Sequence, residues 1–261
     1  MSLESSDTSL FNLKSQRVLI IGGTGVLGSQ FATCLATAGA EVIVGGRSVE
    51  RGNEIVQKLV KQELRSSFMQ IDVRDRTSLL KAASATHHLG GIDILVNAAG
   101  VNSRTPFLDM DDSEWNALLD TNLGAVFRSC QIFVPQMKGR PSGASIINIS
   151  SASSGPPISR VFGYAAAKAG VNNLTQYLAR EFAPDGIRVN AIIPGFFPAE
   201  QNRALLTNER ITSIIGHTPM GRLGNSDEIN GTLLWLASAR ASSFVTGALV
   251  HVDGGFSAMT I

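Results

Sequence analysis

Charge is scarce in this 261-residue chain and nearly balanced: 16% of residues are charged, and 22 Lys and Arg against 21 Asp and Glu leave a formal +1. With no basic run there is no electrostatic footprint for nucleic acid or an anionic membrane surface, so neither is expected as a partner. Cysteine is scarcer still. Cys34 and Cys130 fall in apolar, helix-like segments, which fits buried free thiols in a reducing compartment better than a disulfide framework. The histidines, His87, His88, His217 and His251, show no metal-ligand spacing, so no metal site is expected. No apolar run is long enough to span a bilayer, and Met1 to Thr8 is polar, without the charged start or apolar centre of a signal peptide. A cytoplasmic protein is the expectation. A linker rich in Pro, Ser or charge is also missing, so residues 1–261 read as one domain.

What the chain does have is apolar residues, 44% of the total, set in short runs that glycines terminate. Arg17 to Ile21, Glu41 to Gly45, Ser67 to Ile71, Asp93 to Val96, Ala144 to Ile149, Arg188 to Ile193 and Ala248 to Val252 read as strands. Several are apolar throughout, as strands covered on both faces of a parallel sheet are. Helix-patterned segments alternate with them: Ser29 to Ala38, Val49 to Glu63, Thr77 to His88, Ser113 to Met137, the segment through Tyr164 to Phe182, and about Ser226 to Ala237. The alternation predicts an α/β fold, a doubly wound seven-stranded parallel sheet of the Rossmann kind. Pro198 to Asn225 reads as an irregular insertion over its open end, a substrate lid.

Gly23-x-Gly25-x-x-Gly28 follows the first strand and opens the first helix, where free N–H groups and a helix dipole meet a phosphate. A dinucleotide is the expected ligand. An acid at the end of the second strand would accept from a ribose 2′-OH, whereas this strand ends Gly45-Gly46-Arg47, whose guanidinium suits a 2′-phosphate. NADP is therefore expected, with NAD the alternative. Farther on, Tyr164 and Lys168 stand four residues apart on one helix face. A fixed positive charge favours a phenolate, so Lys168 is expected to lower the Tyr164 pKa from its ordinary ~10. On this fragment alone the pair reads more readily as two surface side chains at helical spacing.

Taken together, these motifs resemble the short-chain dehydrogenase/reductase family over nearly the whole chain, from about Leu10 to Ala258. The loop Gly22, Thr24, Gly25, Val26, Leu27, Gly28 resembles the family's glycine loop, with Val26 where the family usually has its middle glycine. Asp72-Val73 resembles the pair contacting adenine, and Asn97-Ala98-Ala99-Gly100 the turn after the fourth strand. Asn122 and Ser151 match the family's asparagine and catalytic serine, with Ser150 the neighbouring alternative, and Pro194-Gly195 match the segment beside the nicotinamide. Ala199 stands where a threonine is frequent. The resemblance implies that Tyr164 exchanges the proton, Ser151 holds the carbonyl oxygen, Lys168 tunes the tyrosine and bonds the nicotinamide ribose, and Asn122 fixes a water. It also implies a homotetramer pairing through the helices of Ser113–Met137 and Tyr164–Phe182. Taken singly, Ser151 reads as a satisfied strand-end hydroxyl and Asn122 as a helix asparagine bonding backbone; their common register outweighs this.

The expected activity is hydride transfer between NADP and a carbonyl or secondary alcohol. The lid carries Glu200, Gln201, Asn202 and Arg203, donors and acceptors suited to hydroxyls and a carboxylate. With Phe196 they resemble the sugar-acid reductases acting on fructuronate or gluconate, and Phe196, Ser151 and Arg203 are the expected substrate contacts, Arg203 taking the carboxylate. A lid tip facing water is the plain alternative. A 3-oxoacyl thioester reductase is the second expectation, with Arg203 or Arg222 meeting a carrier. Outside catalysis the alternatives are a cofactor-sensing binding protein, against which the Ser151, Tyr164, Lys168 set argues, and a scaffold that binds no nucleotide.

Overall fold

A computed structural model describes residues 10–159, 161–197 and 207–259. Seven strands form one sheet: β1 (Arg17–Ile21), β2 (Glu41–Gly46), β3 (Ser66–Gln70), β4 (Ile94–Asn97), β5 (Ala144–Ile149), β6 (Ile187–Pro194) and β7 (Leu249–Val252). They are all parallel, in the order β3-β2-β1-β4-β5-β6-β7. The helices are α1 (Val26–Thr37), α2 (Val49–Val60), α3 (Arg76–His88), α4 (Asp112–Leu119), α5 (Ala125–Met137), α6 (Phe162–Phe182), α7 (Asn208–Gly216), α8 (Asn230–Ala237) and α9 (Ala239–Ser242). Among the described residues no helix is long and apolar enough to cross a membrane.

The apolar strands are explained by two cores, one on each face. Leu19 and Ile21 pack with Phe133, Met137 and Val171 from α5 and α6, while Val18 and Ile20 pack with Phe31, Leu35, Leu233 and Leu236 from α1 and α8. Successive residues of a strand point to opposite faces, so a strand covered on both must be apolar throughout. Each such side chain contributes roughly 1.5–3 kcal/mol of transfer free energy. Strand order reverses between β1 and β4, and the loops leaving their carboxyl ends diverge into a crevice.

Two expectations change. The segment read as one helix over Ser113–Met137 is α4, a π-turn over Asp120–Gly124, and α5. The Ala125 N–H reaches back five residues to the Asp120 carbonyl, which also accepts from Arg128 at 3.0 Å; the Arg128 guanidinium pairs with the Asp120 carboxylate at 2.7 Å. The second change lies in the stretch read as irregular, which contains α7, capped by the Thr207 hydroxyl accepting the Arg210 N–H. Residues 198–206, including Ala199, Glu200, Gln201, Asn202 and Arg203, lie outside the described residues.

Both cysteines carry free thiols, as expected. Burial pushes Cys34 up to about 11 and Cys130 up to about 12, which leaves both unreactive near neutral pH.

Candidate active site

The loop from β1 to α1 is built on close backbone contact. Gly22 has a φ of +84°, and a Cβ there would sit 2.5 Å from the Ala99 nitrogen; on Gly28 it would sit 2.2 Å from the Gly22 carbonyl. No side chain can enter either position, so the loop lies directly on Ala98 and Ala99. Ser48, Asp75 and Asp111 cap α2, α3 and α4 with side-chain oxygens, whereas α1 starts at Gly25 with no side-chain cap and no acid in its first turn. An uncapped helix start of this kind leaves free N–H groups that can meet an anion. Thr24 packs on Gly46, where a Cβ would meet its hydroxyl at 2.4 Å, bringing the loop beside the end of β2. Arg47 follows there, exposed, and among the described residues its guanidinium makes no ion pair.

Asp72 and Val73 follow β3. The Asp72 carboxylate accepts the Arg74 N–H at 2.9 Å and its own N–H donates to Ser78, so Asp72 closes its own turn; the Val73 carbonyl accepts from Arg128. The Asn97 side chain turns into the protein. It donates to Asn148 at 2.8 Å and accepts from Ser129 at 2.7 Å, while Asn148 donates to Thr175 at 2.9 Å. This buried chain ties β4 and β5 to α5 and α6, and leaves the backbone of Ala98 and Ala99 as the part of the turn facing the glycine loop.

Tyr164, Lys168, Ser151 and Asn122 converge at the carboxyl ends of β4 and β5. Lys168 is 3% exposed, and its ammonium donates to the Ile149 carbonyl at 2.8 Å and lies 5.5 Å from the centre of the Tyr164 ring. Ser151 stands beside Tyr164, where its hydroxyl acts to lower the phenol pKa. It also accepts from the Ser153 hydroxyl at 3.0 Å and the Ser153 N–H at 3.2 Å. With both lone pairs used, the Ser151 proton is what remains to donate. Ser150 points the other way, buried and donating to the Lys168 carbonyl, which settles which serine faces the tyrosine. Asn122, fully buried in the π-turn, donates to the Val101 and Leu118 carbonyls at 2.8 and 2.9 Å and accepts the Val101 N–H at 3.2 Å. Its side chain fixes the turn after β4. Gly100 lies against this group: a Cβ there would sit 2.9 Å from Asn122 Oδ1 and 3.6 Å from the Lys168 ammonium. Sequence reading assigned Gly100 only to a turn; its close approach is visible only once α4 and α6 are packed.

The electrostatics correct one expectation. Burial raises the Tyr164 pKa above its ordinary value, and the Ser151 hydrogen bond opposes this only in part. Lys168 does not reverse the balance, because burial draws its own pKa down to about 8. Beyond β6, the Gly195 N–H donates to the Val252 carbonyl at 3.0 Å, and a Cβ on Gly195 would meet the Asp253 Cα at 2.6 Å. Pro194-Gly195 is thus held against the loop after β7. Phe196 packs on Phe256 at 5.0 Å between ring centres, with His217 on that same ring at 4.6 Å. Arg203, the expected carboxylate partner, lies outside the described residues.

The glycine loop and the Ser151, Tyr164 and Lys168 group lie at the carboxyl end of one parallel sheet, and the chain belongs to the short-chain dehydrogenase/reductase family of NAD(P)-dependent oxidoreductases. A family model described as enoyl-(acyl carrier protein) reductase matches residues 24–257. The chain is 39% identical over 269 residues to the uncharacterized oxidoreductase UxuB of Bacillus subtilis, covering 95% of this chain and 96% of that one. To the gluconate 5-dehydrogenase of Gluconobacter oxydans it is 34% identical over 252 residues, 96% of this chain and 98% of the relative. Its fold matches a solved gluconate 5-dehydrogenase from Burkholderia cenocepacia, in complex with NADP and tartrate, with a TM-score of 0.92 at 32% identity, covering 97% and 99% of the two chains.

Proposed function

We propose that this protein is an NADP-linked reductase of small polyhydroxylated keto acids, of the gluconate and fructuronate type, with Tyr164 as the proton donor. The observation that carries the reading is the half-buried Tyr164 beside the buried Lys168, whose ammonium lies 5.5 Å from the centre of the Tyr164 ring and is held on the Ile149 carbonyl at the end of β5. The relatives that act on gluconate support the substrate class.

The residues present fit the cofactor: the Gly22 and Gly28 backbones leave a cradle no side chain can fill, and α1 presents uncapped amides to a pyrophosphate. Gly22, Thr24, Gly25, Val26, Leu27 and Gly28 would hold the phosphates, Arg47 the 2′-phosphate, Asp72 and Val73 the adenine, and Ala98, Ala99, Pro194 and Gly195 the nicotinamide end. When bound, the reduced nicotinamide supplies a hydride to the carbonyl carbon. Tyr164 gives its proton to the carbonyl oxygen as negative charge develops there, and the Ser151 hydroxyl donates to the same oxygen. A raised phenol pKa suits this direction, because the group must arrive protonated. Lys168, charged below about pH 8, stabilises the resulting phenolate and is placed to return a proton to it. Asn122 holds the Gly100–Val101 turn against Lys168. A keto acid and NADPH plus one proton thereby become a hydroxy acid and NADP.

The description of the matching family model favours a second reading, reduction of an acyl thioester on a carrier. NADPH oxidation by purified protein with 5-keto-gluconate, fructuronate and a 3-oxoacyl thioester separates the two. Turnover of a keto sugar acid above the thioester is the expected result; thioester turnover without any sugar-acid rate contradicts the proposal.

A further inference from the structure

β5 ends at Ile149, and just beyond it Ser151 caps the 3₁₀ turn Ala152–Ser154. The chain enters this turn already fixed: the Ser150 N–H donates to the Ile192 carbonyl of β6 at 2.8 Å, and its hydroxyl to the Lys168 carbonyl of α6 at 3.2 Å. The Ser151 carbonyl then accepts the Ser154 N–H at 2.9 Å and the Ser154 hydroxyl at 2.6 Å. Ser154 is itself tied to α6, because Asn172, one helical turn beyond Lys168, donates to its hydroxyl oxygen at 2.8 Å. The backbone of Ser151 is therefore held from both sides.

Ser153 acts on the side chain instead. It is 5% exposed, and its hydroxyl donates to Ser151 Oγ at 3.0 Å while its N–H reaches the same atom at 3.2 Å. A hydroxyl oxygen offers two acceptor positions and one proton. Ser153 occupies both acceptor positions, so the Ser151 proton is directed away from the turn. The Ser151 hydroxyl also acts to lower the Tyr164 pKa, as a donor to a phenolate does.

We propose that Ser153 is a positioning residue for the reaction: by giving its hydroxyl proton to Ser151 Oγ it keeps Ser151 from donating into the turn and holds the Ser151 proton for Tyr164 in the free protein and for the carbonyl oxygen of the substrate during reduction. The step on a substrate rests on the function proposed above; the control of the Ser151 proton by Ser153 does not. Without the Ser153 hydroxyl, one acceptor position on Ser151 Oγ opens and the proton can rotate into it. A donor aimed in advance needs no reorientation as negative charge grows on the carbonyl oxygen, so the loss falls on kcat more than on KM. Ser153→Ala removes this hydroxyl alone. The N–H contact to Ser151 and the tether through Ser154 and Asn172 remain, so the turn keeps its shape.

The test compares wild type, Ser151→Ala, Ser153→Ala and the double variant, as full chains isotope-labelled at tyrosine Cζ, whose NMR signal moves with the hydrogen bonds at the phenol oxygen. The chain has two tyrosines, so the signal that Tyr164→Phe removes belongs to Tyr164. Ser151→Ala and Ser153→Ala are expected to move it in the same direction, and the double variant no further than Ser151→Ala alone. A Tyr164 signal that Ser153→Ala leaves in place, or a shift that persists in full in the Ser151→Ala background, overturns the positioning whatever the substrate. In reduction of 5-keto-gluconate by NADPH, Ser153→Ala is expected to lower kcat ~2- to 10-fold, the range one neutral hydrogen bond supplies, with a smaller change in KM and no further loss once Ser151 is alanine. An unchanged or higher kcat, or a loss confined to KM, overturns the role of Ser153 in the reaction. A wild type that reduces no sugar acid overturns the proposed function, and the phenol signal then still decides whether Ser153 sets the Ser151 proton.

Discussion

The Lys168 ammonium lies 2.8 Å from the Ile149 carbonyl and 5.5 Å from the centre of the Tyr164 ring, with almost none of the lysine exposed. A cation buried on one backbone acceptor loses hydration that a single hydrogen bond does not restore, which is why its pKa falls to about 8.

That burial costs stability. The fall from 10.5 to about 8 corresponds to on the order of 3 kcal/mol, at ~1.4 kcal/mol per pH unit. The folded state releases the proton before the unfolded chain does, so the penalty is full below pH 8 and is relieved as pH rises through about 8 to 10.5. Lys168→Met, which removes the charge but strands the Ile149 carbonyl at roughly 1–3 kcal/mol, is expected to be as stable as wild type or more so at pH 7 while losing activity. Urea melts of both proteins at pH 7 and pH 10 check it. The stability difference should move in favour of wild type on going to pH 10; a constant difference would show that the lysine carries no such penalty.

Arg47→Asp exchanges a guanidinium for an acceptor at the end of β2. The ratio of kcat/KM for NADPH over NADH should fall by ~10-fold or more, since hydrogen bonds to charged groups contribute about 1.5–3 kcal/mol. An unchanged ratio means that Arg47 does not read the ribose.

An apolar strip on α5 and α6 bears on assembly. Leu119, Leu123, Phe127, Leu174 and Tyr177 line one shallow face across α4, the π-turn, α5 and α6, with Phe127 49% and Tyr177 58% exposed. We expect this face to pair two copies within a homotetramer, as the family resemblance implies. Light scattering at micromolar protein should give an oligomer mass, and Tyr177→Glu should lower it. A monomer mass for wild type refutes the expectation.

Sequence alone carried most of the fold, because strands such as Val18–Ile21 are buried on both faces and their apolar runs leave no other reading. Ser151, Tyr164 and Lys168 were singled out together by the resemblance to the family, and packing brings the Lys168 ammonium to 5.5 Å from the Tyr164 ring. Sequence alone missed the π-turn at Asp120–Gly124, since one extra residue shifts helical phase without interrupting an apolar pattern. The direction of the Tyr164 shift was also misread: a spacing of four places a charge near a phenol, but desolvation depends on what β5 and the 3₁₀ turn at Ala152–Ser154 bring over it. The resemblance puts Asn97 in the turn after the fourth strand, and only packing reveals that its side chain turns inward onto Ser129 and Asn148.

Removing the phenol oxygen alone tests the central claim most directly. Tyr164→Phe should bind NADPH, followed by fluorescence titration, as wild type does, and should lose ~10²- to 10⁴-fold in kcat for keto-acid reduction, the range that general acid catalysis supplies. A Tyr164→Phe enzyme that binds NADPH and reduces its substrate at near wild-type rate would contradict the assignment of Tyr164 as proton donor, and with it the mechanism.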